Sequence, residues 1–241
     1  MTFTPDLFFA MLAVFAAGVL RGFSGFGVGM VLVPILSLLY SPMVAVVTVV
    51  LLEIIPSIQL VPGSLAHCDW RSVMPMAISG IITVPIGSLL LVNADANTMR
   101  ICIAVLVILC VAILASGWRY QGGSTLKAPT LTGMASGLIS GASSLGGLPV
   151  ILFYLSGGHT SRVARASIVV FLFITAMISL LTYLLHGIIG VDILLRTVYL
   201  VPIFILAIWL GGQLFGKVSE GLFRAVTLTL LGSVGLVMLL S

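Results

Sequence analysis

Residues 72–92, SVMPMAISGIITVPIGSLLLV, pass without one charged side chain. About twenty such residues is the length an α-helix needs to cross the hydrocarbon core of a bilayer. Other windows of the chain do the same, and their apolar runs are continuous, whereas a transmembrane barrel alternates apolar and polar residues in short segments. The spans therefore read as helices. With 241 residues, 61% of them hydrophobic and 7% charged, and a mean hydropathy of +1.34, no water-soluble fold could cover its own apolar surface. The fold class is an all-α polytopic membrane protein. The N-terminal stretch MTFTPDLFFAMLAVFAAGVL lacks the positive region of a secretory signal and carries Asp6, so it is predicted to be retained.

Apolar segments fall at about 5–21, 26–41, 43–62, 72–92, 98–117, 128–142, 146–158, 164–187, 194–213 and 220–240. Four are short and form adjacent pairs, each pair interrupted by a Gly/Ser motif. The motifs reveal an internal repeat. Ser24-Gly25 matches Ser140-Gly141 at an offset of 140 − 24 = 116, and Val44-Ala45 matches Val163-Ala164 at 163 − 44 = 119. The difference reads as a small insertion around GGHTSR. Each half then holds one interrupted hairpin and three full helices: repeat 1 at about 1–118, a linker at about 118–127 and repeat 2 at about 128–241, in a single transmembrane domain.

Charge tests the topology. If each hairpin enters and leaves on the same side, Arg71, Arg119, Lys127, Arg162, Arg165, Lys217 and Arg224 share one face, and only Arg100 and Arg196 occupy the other. Were each hairpin a single crossing, the charges would split almost evenly. The first arrangement obeys the positive-inside rule. It makes the halves antiparallel, an inverted-topology repeat with both termini on the non-cytoplasmic side. Arms of about 13–17 residues are marginal for crossing ~30 Å at 1.5 Å per residue, so the hairpins are predicted to turn back near the midplane.

A helix broken inside a bilayer exposes amides and carbonyls that lipid cannot satisfy, and it survives only where protein or water surrounds it. In inverted-repeat transporters the break is usually the substrate site. Here the second arms begin near residues 27–30 and 145–148, where free N–H groups and the positive dipole end would welcome an anion. Ser24, Ser140, Ser143 and Ser144 add hydroxyls, Gly25, Gly27, Gly29, Gly141, Gly146 and Gly147 allow close backbone approach, and Pro34 and Pro149 fall in the second arms. The bland alternative is that these are small-residue packing motifs, since Gly25 and Gly29 form a GxxxG. Two matched copies favour the anion site.

The sequences GFSGFGVGMVLVP and GLISGASSLGGLPVILFYL, followed by VAVVTVV and VARASIVV, resemble the paired signatures of the sulfite exporter TauE/SafE family of membrane permeases. The resemblance covers nearly the whole chain. It implies transport of small, often sulfur-containing anions such as sulfite or organosulfonates, commonly as export. It also implies a substrate region over Ser24 to Gly29 with Pro34 and over Ser140 to Pro149. The first motif ends GVGM where GxGGG is common, and the second reads GGLP where GGPP is common.

Ionisable residues within the spans are expensive and usually functional. Glu53, with Pro56 one turn on, reads as a proton carrier or as a structurally paired acid. Arg21, directly before the first motif, either snorkels or attracts anions. Arg165 reads as a boundary residue, with a place in the anion path as the alternative. His159 and His186 sit near helix ends as wet structural residues, and Trp70, Trp118 and Trp209 as interfacial or packing aromatics. Cys68, Cys102 and Cys110 offer neither a disulfide framework nor a metal pattern, and His67-Cys68-Asp69 reads as a polar loop. No metal, cofactor or nucleic-acid partner is expected, because the basic residues form no patch. GASS at 141–144 faintly suggests an intramembrane serine hydrolase, but that chemistry needs a histidine within hydrogen-bond reach.

Together these features predict an inner-membrane permease for a small anionic solute, working by alternating access. A passive anion channel of the same architecture is the first alternative and an intramembrane serine hydrolase the second; a homo-oligomer is compatible with all three.

Overall fold

The structure, a computed structural model, describes residues 5–24, 27–116, 126–156 and 160–214, with Thr229, Gly232, Ser233 and Val237 beyond them. The described residues form helices α1 (Pro5–Ser24), α2 (Val28–Leu39), α3 (Pro42–Leu65), α4 (Trp70–Asn93), α5 (Ala96–Ser116), α6 (Lys127–Ser143), α7 (Gly147–Ser156), α8 (Ser161–Leu185) and α9 (Val191–Leu214), and no strands. Six are long and apolar enough to cross a membrane: α1, α3, α4, α5, α8 and α9. The last apolar segment, 220–240, lies mostly outside the described residues, as do Gly25, Arg119, His159, Lys217 and Arg224.

Each span hides one face and turns the other outward. In α4, Val73, Met76, Ala77, Gly80, Val84, Gly87 and Leu91 are buried, whereas Met74, Ile78, Ile81, Ile82, Ile86, Leu89 and Leu90 are exposed large apolar side chains. In water such a face would be a liability; in lipid it is the solvent-facing side. Two hydroxyls of α4 are satisfied on their own helix, Thr83 donating to Ser79 O at 3.0 Å and Ser88 to Val84 O at 3.0 Å.

The chain divides into two compact units that interleave the halves of the sequence. The first comprises residues up to Leu52, Ala94–Ser116 and Ile189 onward, and the second comprises Glu53–Asn93 and Gly117–Ile188. In the first, α1 packs chiefly on α9 and also on α2, and α2 reaches α5. In the second, α4 packs on α6 and α8, and α7 lies against α6 and α8. Thus each unit joins the hairpin of one half to the fourth helix of the other.

These two helix pairs are built alike. A Cβ on Gly22 would collide with Ile208 O and Gly212 N, and one on Gly141 with Val84 O and Ser88 N. Gly211 stands against the Val19 backbone as Gly87 stands against Leu138. Gly18 meets Ala207 and Phe204, where Gly137 meets Thr83 and Gly80. Both pairs are small-residue packings in which backbones approach to contact.

The matched pairs revise the repeat register. Gly22 corresponds to Gly141, an offset of 141 − 22 = 119. The starts of α2 and α7 give 147 − 28 = 119 and those of α3 and α8 give 161 − 42 = 119. This offset serves from the hairpins to the third helix of each half, with no insertion at GGHTSR, whereas the matched contacts of α4 and α9 stand at 208 − 84 = 124; Ser24 therefore corresponds to Ser143 and Gly27 to Gly146. The Ser-Gly identity at an offset of 116 is a coincidence of two small residues.

Candidate functional site

Both hairpins break where the sequence predicts, over a few residues. α6 ends at Ser143; Ser144 turns into the left-handed region at φ 56°, its N–H donating to Ser140 O at 2.9 Å. α7 then starts at Gly147. α1 ends at Ser24 and α2 starts at Val28, after Gly27 at φ 94° with no side-chain cap. The Ser24 side chain and all of Gly25 lie outside the described residues.

The first N–H groups of a helix have no intrahelical partner. For α2 these are the amides of Gly27, Val28, Gly29 and Met30; for α7 they are those of Gly146, Gly147 and Leu148, Pro149 having none. Pro149, in the first turn, is where a helix tolerates proline. Pro34 sits mid-helix in α2, so the two prolines are not equivalent. Each break thus offers a small set of amide donors and a positive dipole end.

The predicted residues at the second break divide by role. Gly141 lies within α6 and serves packing, and its carbonyl accepts from Tyr183 Oη at 2.7 Å. Gly146 is closed in by Ser140 Oγ and Ser136 O, and its own carbonyl accepts from Ser136 Oγ. Ser143 donates to Ile139 O at 2.9 Å. Ser144, half-buried, and Ser140, buried against Gly146, are the two serines here whose hydroxyls take none of the described hydrogen bonds, and of these Ser144 is the one in the turn itself. Gly147 has room: a Cβ there would meet only the ends of Leu172 and Ile151, at 3.7 and 3.8 Å. At the first break the space beside Gly27 is open, with nothing within 4 Å of where a Cβ would stand, and Gly29 is buried in the first turn of α2.

Arg21, in the last turn of α1, is only 3% exposed, so it does not snorkel out of the protein. By the offset of 119 it holds the place that Ser140 holds in the other half, 140 − 21 = 119. Glu53 is half-buried in α3, its carbonyl accepting from Ser57 Oγ at 2.6 Å. Arg165 is exposed near the start of α8, as is Arg162, which suits a membrane boundary. His67 Nδ1 contacts Gly63 O at 3.3 Å and His186 Nδ1 contacts Thr182 O at 2.8 Å; neither is described as bonded to Ser143 or Ser144. Among the described residues no group of three His, Cys, Asp or Glu could hold a metal ion.

Sequence reasoning misses Ser136 and Tyr183, which satisfy carbonyls at the break, because nothing local marks a residue from another helix. It also misses the spacing Gly133, Gly137, Gly141 and the pair Gly18, Gly22, whose intervals of four are legible.

Polar residues also gather where the second arms end. Tyr40 follows α2: Arg100 Nε donates to Ser37 O at 3.2 Å and its Nη2 to Tyr40 O at 3.5 Å, while the Arg196 guanidinium lies 4.4 Å from the Tyr40 ring centroid. Burial raises the Tyr40 pKa, with Arg196 pulling it down and Asp6 pushing it up. In the other unit Ser72 Oγ lies 2.6 Å from Tyr154 Oη and donates to Asp69 Oδ2 at 2.7 Å, and the Asp69 amide donates to Ser167 Oγ at 2.9 Å. Burial also raises the pKa of Cys68 in that loop.

Interrupted apolar hairpins in duplicate, among helices long enough to span a bilayer, define a polytopic membrane protein of the repeat-built transporter class. The family model described as "Sulfite exporter TauE/SafE" matches residues 10–238, and the chain belongs to that family. A relative from Cupriavidus necator, named "Probable sulfite/organosulfonate exporter TauE", is 28% identical over 223 residues, covering 88% of this chain and 85% of that protein. No solved structure matches.

Proposed function

We propose that the protein is an inner-membrane carrier for a small sulfur-containing anion, sulfite or an organosulfonate, working in the export direction by alternating access. Family membership and the name of the Cupriavidus relative support the substrate class. The observation that carries the chemistry is the start of α7, where free amides adjoin the left-handed Ser144 and its hydroxyl. The α2 break supplies a corresponding set of amides.

Helix length supports re-entrant second arms. α2 has 12 residues and α7 has 10, roughly 18 and 15 Å at 1.5 Å per residue, about half of a ~30 Å core. In this reading each second arm reaches only about half-way through the core, where a low dielectric strengthens amide–anion attraction. The substrate-contacting groups are, in the first unit, the α2 amides and the residues around Gly27 and, in the second, the α7 amides with Ser144. Gly141, Gly146, Ser140 and Ser143 shape the break. Arg21 supplies positive potential at the first break, and Glu53 carries the coupling proton.

The test is flux of radiolabelled sulfite in proteoliposomes. Ser144→Gly keeps the left-handed backbone and removes the hydroxymethyl side chain, so sulfite flux at sub-saturating concentration is expected to fall about tenfold, the scale of one hydrogen bond to a charged group, with little change in thermal stability. Flux equal to wild type would overturn the role of Ser144. Flux indifferent to a proton gradient, together with an unaltered Glu53→Gln variant, would replace the carrier by the channel.

A further inference from the structure

We propose that Arg100 and Arg196, together with Ser37 and Tyr40, form a second binding site for a small oxyanion at the end of α2 remote from the break. This rests on the transport reading above and adds a station to it.

All four residues belong to the first unit. Arg100 gives one Nε–H and one Nη–H to the carbonyls of Ser37 and Tyr40; a guanidinium carries five N–H donors, so three remain. Arg196 Cζ rests over the Tyr40 ring, and none of the described hydrogen bonds uses its N–H groups, of which a guanidinium has five. Neither arginine has a described carboxylate partner. Both are half-buried, and Asp6, whose charge raises the Tyr40 pKa, is exposed on the first turn of α1. Ser37 is 0% exposed, and its Oγ has no hydrogen-bond partner. A buried hydroxyl is rarely left so.

Two forked cations meet at Tyr40, one at its carbonyl and one at its ring, and a buried unpartnered hydroxyl lies one turn back along α2 at Ser37; such a donor set suits an oxyanion that accepts several hydrogen bonds from planar donors. Capping of α2 by Arg100 accounts for that residue alone and leaves Arg196 and Ser37 Oγ unexplained. The charge pattern agrees: in the predicted topology Arg100 and Arg196 are the two exceptions to the positive-inside bias. Tyr40 lies roughly 18 Å along α2 from the break at 1.5 Å per residue, so the site stands apart from the proposed substrate amides and within a couple of Debye lengths of them.

The experiment measures sulfite flux against concentration for purified full-length protein in phosphatidylcholine liposomes, and thermal stabilisation by sulfite and by sulfate in detergent. Arg196→Gln is expected to raise the apparent KM about tenfold with maximal flux held within roughly twofold, and to flatten the dependence of KM on ionic strength. Arg100→Gln should act in the same direction, and Arg196→Lys, which keeps the charge over the ring, should rescue most of the effect. An unchanged KM in a transporting protein overturns the site and leaves the transport reading standing. Absent flux in wild type, with sulfate stabilisation abolished by Arg196→Gln, upholds the site and overturns the transport reading. Absent flux and absent stabilisation overturn both. A change confined to stabilisation by phosphatidylglycerol vesicles, with KM unmoved, assigns the arginines to lipid phosphate and overturns the site.

Discussion

At Gly141 a side chain has nowhere to go, because the backbone of α4 fills the space its Cβ would need. Gly141→Ala is therefore expected to lower stability by about 1–3 kcal/mol, the usual scale of overpacking, read as a drop in Tm in detergent. Gly27→Asn is the contrast: the space beside it is open and φ is 94°, so only the strain of a left-handed residue is added, about 1 kcal/mol or less for a tolerant asparagine. Equal losses at the two positions would contradict the packing described. Tyr183→Phe strips the hydroxyl from the buried Gly141 carbonyl, and about 1–3 kcal/mol is expected for the acceptor left unpaired. In the sequence the two glycines stand in similar motifs; whether each relieves strain or admits a neighbour depends on a partner far along the chain.

Among the elements, the second arms are the most legible. A short apolar run after a Gly/Ser cluster announces an interrupted helix, and α2 and α7 start within a few residues of the expected places. The register of the repeat is not legible in the same way, since serine and glycine recur too often near the breaks for identity to fix an offset. The Val44-Ala45 match already stands at 119, and the helix starts and the matched contacts of Gly22 and Gly141 extend that offset to the hairpins. The start of α5 provides a pH test. Asp95 accepts from the Thr98 amide at 2.8 Å and from its hydroxyl at 2.7 Å, and these bonds hold its carboxyl below the ordinary aspartate range. A lowered folded-state pKa adds stability above the unfolded value of about 3.9 and loses it as pH falls through the folded one. Asp95→Asn should thus lower Tm at pH 7, and the difference should close as pH drops below about 4. A gap that persisted in acid would remove the cap from the account.

For the whole molecule, the interleaving of halves is the consequential fact. The glycine face of α1 needs α9, and that of α6 needs α4, each from the other side of the linker. Residues 1–121 expressed alone should be degraded, and co-expression with 122–241 should restore both fragments, as judged by their membrane-inserted amounts; a stable first half alone would contradict this. Reporters at residue 122 and at the C-terminus should report opposite faces under the proposed topology. By itself the sequence determined the environment, the helical class and the two places where helices break, because hydrophobic length and glycine–serine clusters are local and lipid leaves few ways to satisfy a backbone. Which glycines pack and which remain open, which hydroxyls are already engaged, and that Arg100 and Arg196 gather at Tyr40 were decided only by tertiary structure. Those roles depend on contacts between residues as much as 192 positions apart, 211 − 19 = 192 for Gly211 against the Val19 backbone, and no local pattern encodes such a meeting.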